Sequence, residues 1–275
     1  MRRPARRQLH RARLPARLLN ALRGLPLAWQ LGLVALVLLA LGFAVNFAYQ
    51  VARKPAELFF PVSGALDKTP AETWRQYGPI FRAHSTGVIT PELLAALAQV
   101  EGAGNPVART YWRWRLTMEP FEVYRPASSA VGMYQITDGT FREARRYCIR
   151  DHAVVEDGPW HDWRSCWFNG LYTRVLPGHA TELTAALLDR RVAEILDGRR
   201  AVALQQKQDL AAVIHLCGAS AGQAYARRGF RPAAGQRCGS HDLAGYLARV
   251  NALKKVFQEM ANNDEGRRNP PHAGA

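Results

Sequence analysis

Glu101 is the residue whose position points most directly to chemistry. It follows Leu94, Leu97 and Ala98 at helical spacing, in a segment that opens with Thr90 and Pro91 and stops at Gly102 and Gly104. Residues four and seven apart share one face of a helix, so this carboxyl falls on the apolar face. It also falls at the helix C-terminus, where the dipole disfavours negative charge. Burial and dipole both favour the protonated form, burial more strongly. A carboxylic acid that keeps its proton near neutral pH can serve as a general acid. The same position also suits a glutamate that frays into solvent at a helix end.

The residues around Glu101 separate these readings. Glu101-Gly-Ala-Gly-Asn105-Pro106-Val-Ala108 resembles the E-S-x-x-N-P-x-A stretch of soluble lytic transglycosylase catalytic domains. Ser129-Ala-Val-Gly132-Met133-Tyr134-Gln135-Ile136-Thr137-Asp138-Gly-Thr140 resembles their G-A-x-G-L-M-Q-x-M-P-x-T stretch, in the right order. Gly102 stands where the family usually has serine, and Met133-Tyr134 stands in place of Leu-Met. The family's later A-Y-N motif has an echo in Ile214-His215-Leu216-Cys217-Gly218, with His215 at the position of the tyrosine.

The resemblance implies a mainly α, lysozyme-like helical domain with a groove for a glycan strand. It implies cleavage of the β-1,4 bond between N-acetylmuramic acid and N-acetylglucosamine in peptidoglycan, with Glu101 as the single acid/base. Most glycosidases use two carboxyl groups. In the resembled family the sugar's own C6 hydroxyl attacks C1, which leaves a 1,6-anhydro end and consumes no water. No cofactor or metal is called for. Gln135 matches the glutamine that contacts the sugar, or it braces its own loop. Gly132 suits a close backbone approach or a positive φ. Met133 and Tyr134 are expected along the groove, though aromatics at such spacing also suit a core. Ser129 can bond either Glu101 or the backbone.

About 17 residues, roughly Tyr111–Ala127, separate the two motifs. They carry Tyr111, Trp112, Trp114, Phe121 and Tyr124 interleaved with Arg113, Arg115 and Arg125. They read as a lid on the domain core or as an extra groove wall. A hydrolytic muramidase would need a second carboxylate, for which Asp138 and Glu119 are the nearby candidates. A non-catalytic peptidoglycan-binding scaffold of an envelope machine is the other alternative, favoured by the changes at Gly102 and His215. His152 and His161 flank acidic residues at a spacing that matches no zinc-enzyme motif.

These residues must be carried to the wall and held there. The chain has 275 residues and a net charge of +15, from 37 Lys+Arg against 22 Asp+Glu. Residues 1–24 hold eight arginines and no acid, so the remainder carries only +7. From Gly24 to Ala52 no Asp, Glu, Lys or Arg occurs, and Leu31–Tyr49 is apolar except for Asn46. About 20 such residues cross a hydrocarbon core about 30 Å thick. An arginine-rich flank stays cytoplasmic. The expectation is a single-pass protein of the bacterial inner membrane with its catalytic domain in the periplasm. A cleaved signal peptide is the rival, with Ala40-Leu41-Gly42 as its one passable site. The basic excess then suits topology and an anionic wall polymer, and nucleic acid is not an expected partner. A tethered enzyme that opens local gaps suits envelope-spanning secretion or division machinery.

The organisation expected is a basic arm over 1–24, an anchor over 25–51, a connector over 52–85, the transglycosylase-like domain over 86–261 and a disordered tail over 262–275. Helices are expected from Pro91 to about Glu101, after Thr140 through Tyr147, over Thr181–Leu196, over about Leu204–Leu216, and from Ser240 through Phe257. The connector has room for at most a short helix near Ala71–Tyr77. Four cysteines in an exported domain suggest disulfides, and proximity favours Cys148–Cys166 and Cys217–Cys238.

Overall fold

The computed structural model describes residues 24–59, 61–162, 164–197 and 201–268. The basic arm, apart from Gly24, therefore lies outside the described residues. The chain divides into two compact units. The smaller comprises residues up to Pro55 together with Trp114–Arg125, and the larger comprises Ala56–Arg113 with Pro126 onward.

In the smaller unit one helix, α1 (Leu27–Arg53), is long and apolar enough to cross a membrane. Its 27 residues rise about 40 Å at 1.5 Å each. Most of its large apolar side chains are exposed, among them Leu31, Leu36, Leu38 and Leu39. Asn46 and Gln50 are its buried residues.

The larger unit is mainly helical. Its helices are α2 (Pro70–Ala83), α3 (Pro91–Gly102), α4 (Asp138–Ala144), α5 (Pro177–Ile195), α6 (Leu204–Cys217), α7 (Ala219–Arg227) and α8 (Leu243–Arg268). Strands are short. β1 (Trp112–Trp114) and β2 (Tyr124–Pro126) form one ribbon, β3 (Tyr147–Arg150) and β4 (Ala153–Glu156) a second, and β5 (Arg237–Cys238) and β6 (His241–Asp242) a third.

The sequence pattern explains the element that carries Glu101. Thr90 caps α3 by accepting from the Leu93 N–H, and Pro91 opens the helix. At the other end Ala103 takes a left-handed conformation (φ 49°), and the Gly104 N–H closes on the Ala98 carbonyl at 3.0 Å. The Ala103 N–H also reaches the Ala98 and Gln99 carbonyls, and its bond to Ala98 is the six-to-one closure that stops a helix. Leu93, Leu94 and Leu97 are wholly buried, each contributing roughly 1.5–3 kcal/mol. α3 packs chiefly on α8 and α2.

Several expected boundaries move. The supposed connector contains α2, whose Trp74, Tyr77 and Phe81 belong to the core. Thr69 and Glu72 form a reciprocal capping box at its start, so the compact unit begins at Ala56 rather than near Thr86. α8 continues to Arg268 instead of giving way to a tail at residue 262. The Asp264 carboxylate there accepts from the Trp74 indole at 3.0 Å. Residues 269–275 of that expected tail lie outside the described residues. The helix after Thr140 ends at Ala144 and Tyr147 begins β3 instead.

Both expected cysteine pairs form, Cys148 with Cys166 and Cys217 with Cys238. The second ties the end of α6 to β5, across 21 residues that include all of α7. A loop of that size gains roughly 3 kcal/mol in the chain-entropy account. The double variant C217S/C238S should therefore lose about 3 kcal/mol in urea unfolding of the detergent-solubilised chain. An unchanged midpoint would count against the bridge.

Candidate active site

Glu101 does not fray. It sits at the end of α3 with 16% of its side chain exposed, against α8. The Tyr246 hydroxyl donates to Glu101 Oε1 at 2.6 Å. Tyr246 itself is buried, and burial and the adjacent carboxylate, in that order, push its phenol well above the usual range. Tyr246 therefore stays a donor at any working pH. Glu101 Oε2 has no protein hydrogen-bond partner among the described residues. One oxygen is thus held while the other is left unengaged by the described residues.

His215, on α6, brings its Nε2 to 3.9 Å from Glu101 Oε1. That is too long for a hydrogen bond. The residue that holds Glu101 is Tyr246, which the sequence reading did not select. Its signal was available. Tyr246 shares a helix face with Leu243 and Val250, and a buried tyrosine needs a partner for its hydroxyl.

The loop after Glu101 is tied down. Asn105 Nδ2 donates to the Ser63 carbonyl at 2.5 Å and to Asp67 Oδ1 at 2.8 Å, while its Oδ1 accepts from the Val107 N–H. Gly102 explains its departure from serine. A Cβ there would lie 2.9 Å from Met133 Cα, so the second motif packs directly on the end of α3.

The second motif is mainly structural. Gln135 adopts φ 47°, and its Nε2 donates to the Gly132 carbonyl at 2.9 Å and the Ala108 carbonyl at 3.2 Å. Its amide nitrogen therefore braces the loop, and its oxygen has no protein partner among the described residues. Met133 and Tyr134, expected along a groove, are wholly buried, with Tyr134 Oη 3.3 Å from Thr181 Oγ1. Burial pushes the Tyr134 phenol up. Ser129 bonds the backbone rather than Glu101, accepting from the Asp138 N–H at 3.1 Å. Gly132 has φ +81°.

A cavity of about 280 Å³ opens beside these residues. His215 both approaches Glu101 and lines it. Gln135, Thr137, Thr140, Thr184, Glu143 and Arg191 are also in its wall. Thr184 Oγ1 is buried without a hydrogen-bond partner, an unmet donor and acceptor in that wall. Glu143 pairs with Arg191 and Asp138 pairs with Arg174 at 2.8 Å. Glu119 belongs to the smaller unit. Of the aromatic insertion, Trp114–Arg125 belongs to the smaller unit, while Tyr111–Arg113 and Pro126–Ala127 belong to the larger.

Tyr246→Phe tests the role of the hydroxyl. A hydrogen bond to a charged group contributes about 1.5–3 kcal/mol. If Glu101 serves as an acid/base, losing this bond should lower kcat by roughly 10–100-fold. KM should change by less than about threefold, because the Tyr246 hydroxyl bonds the Glu101 carboxyl. A rise in KM with unchanged kcat would contradict this assignment. No family model, curated protein or solved structure matches the chain.

Proposed function

We propose that the larger unit is a lytic transglycosylase that cleaves peptidoglycan at the N-acetylmuramic acid–N-acetylglucosamine bond. The observation that carries the reading is the state of Glu101, with Oε1 held by Tyr246 at 2.6 Å and Oε2 free. Glu101, protonated on Oε2, gives its proton to the glycosidic oxygen as the bond from C1 breaks. The substrate's N-acetyl carbonyl stabilises the positive charge that develops at C1. Glu101, now a carboxylate, takes the proton of the C6 hydroxyl, and O6 bonds to C1. The products are a 1,6-anhydro end and a free 4-hydroxyl, and Glu101 is protonated again. Intramolecular attack gains from effective molarity, so no activated water is required.

The neighbouring carboxylates support a one-carboxylate reaction. Asp138 and Glu143 each have one carboxylate oxygen engaged by an arginine, unlike the open Oε2 of Glu101. The free Oε1 of Gln135 and the unmet Thr184 hydroxyl offer polar contacts to sugar amides and hydroxyls. α1 supports an inner-membrane anchor with the catalytic unit in the periplasm, where both disulfides would persist. A wall enzyme tethered in this way suits machinery that must open a local gap.

Digestion of purified peptidoglycan followed by mass analysis tests the reaction. Fragments one water lighter than hydrolysed ends are expected. Reducing ends would replace this reading with a muramidase, and intact strands would replace it with a binding module.

A further inference from the structure

The insertion Trp114–Arg125 is docked along α1. Phe43 of α1 meets Trp114 and Tyr124 edge-on, with ring centres 6.2 and 6.3 Å away, and Trp114 and Tyr124 stack at 4.5 Å. One and a half to two turns further on, Tyr49 stacks on Phe121 at 4.6 Å. The two buried amides of α1 face the same segment. Asn46 Nδ2 donates to the Tyr124 carbonyl at 2.8 Å and Gln50 Nε2 to the Phe121 carbonyl at 2.6 Å. At the end of the helix Arg53 pairs with Glu122 at 3.2 Å, and Glu122 also pairs with Arg125.

The depth of this contact follows from the length of the span. No charge occurs between Arg23 and Arg53. If the hydrocarbon begins as early as Gly24, about 20 residues carry it to Phe43. Any later start takes Phe43 deeper. The rings of Trp114 and Tyr124 touch Phe43, so they lie at the hydrocarbon boundary or below it. The Tyr124 and Phe121 carbonyls lie about one and two turns nearer the outer surface, and wherever lipid takes the place of water around them they need internal donors, which Asn46 and Gln50 supply. This accounts for the two buried amides of α1; its third amide, Gln30, lies at the other end and donates to the Leu25 carbonyl. The hairpin also exposes what lipid would cover. Leu116 and Met118 are essentially fully exposed and Trp114 is 64% exposed.

We infer that residues 114–125 form a second membrane-contacting element, a hairpin bound to the outer end of α1 with Trp114, Leu116 and Met118 in the acyl-chain and headgroup boundary of the same bilayer. This rests on the reading of α1 as a membrane span. Arg113, Arg115 and Arg125 flank the apolar residues as cations flank interfacial segments. The catalytic unit is then joined to a membrane-bound unit at three chain crossings, near residues 55, 113 and 125, rather than at one.

The native cysteines are paired, so single cysteines can be introduced by L116C, M118C and L38C and labelled with an environment-sensitive fluorophore. The full chain is reconstituted into phosphatidylcholine/phosphatidylglycerol vesicles carrying lipid spin-labelled near the top of the acyl chain. At 116 and 118 a loss of at least about twofold in emission is expected, together with protection from aqueous iodide. Quenching at 38 without quenching at 116 and 118 overturns the hairpin inference and leaves the span intact. No quenching at 38 overturns the span itself, and this inference with it.

Discussion

Glu101→Gln should reduce the release of anhydro-ended fragments by about a thousandfold, the middle of the range for removing a general acid. Glutamine keeps the shape and leaves an amide oxygen that can accept from Tyr246 at the 2.6 Å contact. The variant cannot donate an acidic proton to a leaving oxygen or take one from a hydroxyl. The damage should therefore appear in kcat. KM and the unfolding midpoint should stay close to wild type, because nothing apolar is lost from the end of α3. In a two-carboxylate hydrolase a partner base would still act after this change, whereas the proposed reaction passes both steps through one group. A variant that kept more than about a tenth of wild-type activity would falsify the assignment of Glu101. If fragments vanished while strand binding also vanished, the residue would be a binding group rather than the acid.

The placement of Glu101 was legible because helix periodicity is local. Leu94, Leu97 and Glu101 share a face whatever else the chain does, and the stop signals at Gly102 and Gly104 fixed the end of α3. The cysteine pairs were legible for a similar reason, since each closes a short loop. α2 was hidden by Pro70 and Pro79, which read as breakers. Yet Pro70 occupies the first helical turn, where proline is tolerated, and the Thr69–Glu72 capping box was a sufficient start signal. The burial of Tyr246 was legible from its helix face, but its partner was not, because Glu101 lies 145 residues away and no local pattern joins them. The docking of the insertion on α1 was illegible for the same reason. Aromatic residues interleaved with arginine suit a sugar groove, a lid and a membrane interface equally well, and the contacts to Phe43, Asn46 and Gln50 are the observations from which the membrane interface is inferred. The second motif shows the converse error. Met133 and Tyr134 looked functional through their neighbours, but they are core residues on which the site is built.

Gly132→Ala should cost about 4 kcal/mol of stability and most of the activity. Gly132 has φ +81°, which carries a penalty of about 1–2 kcal/mol for a residue with a Cβ. A Cβ would also collide with the Arg174 carbonyl oxygen and lie 3.1 Å from that of Pro106. Both are backbone atoms, so no side chain can rotate away. Relief must come from shifting a segment, at a cost of roughly 1–3 kcal/mol. The segments available are the ones that build the site. The Gly132 N–H donates to the Ala108 carbonyl at 2.8 Å, and Gln135 Nε2 bridges the carbonyls of Gly132 and Ala108. Arg174 holds the Ser129 and Ile136 carbonyls at 2.8 and 2.9 Å. Displacing this loop moves Met133 against Gly102, the residue next to Glu101, so instability and loss of activity should arrive together. Urea unfolding of the full chain in detergent measures the first and fragment release the second. Gly139→Ala serves as the comparison, because a Cβ there meets nothing within 4 Å. It should leave stability within about 0.5 kcal/mol. If Gly132→Ala were as mild as Gly139→Ala, the close approach of residues 132 and 174 would be wrong, and with it the explanation of why the second motif carries glycine at that position.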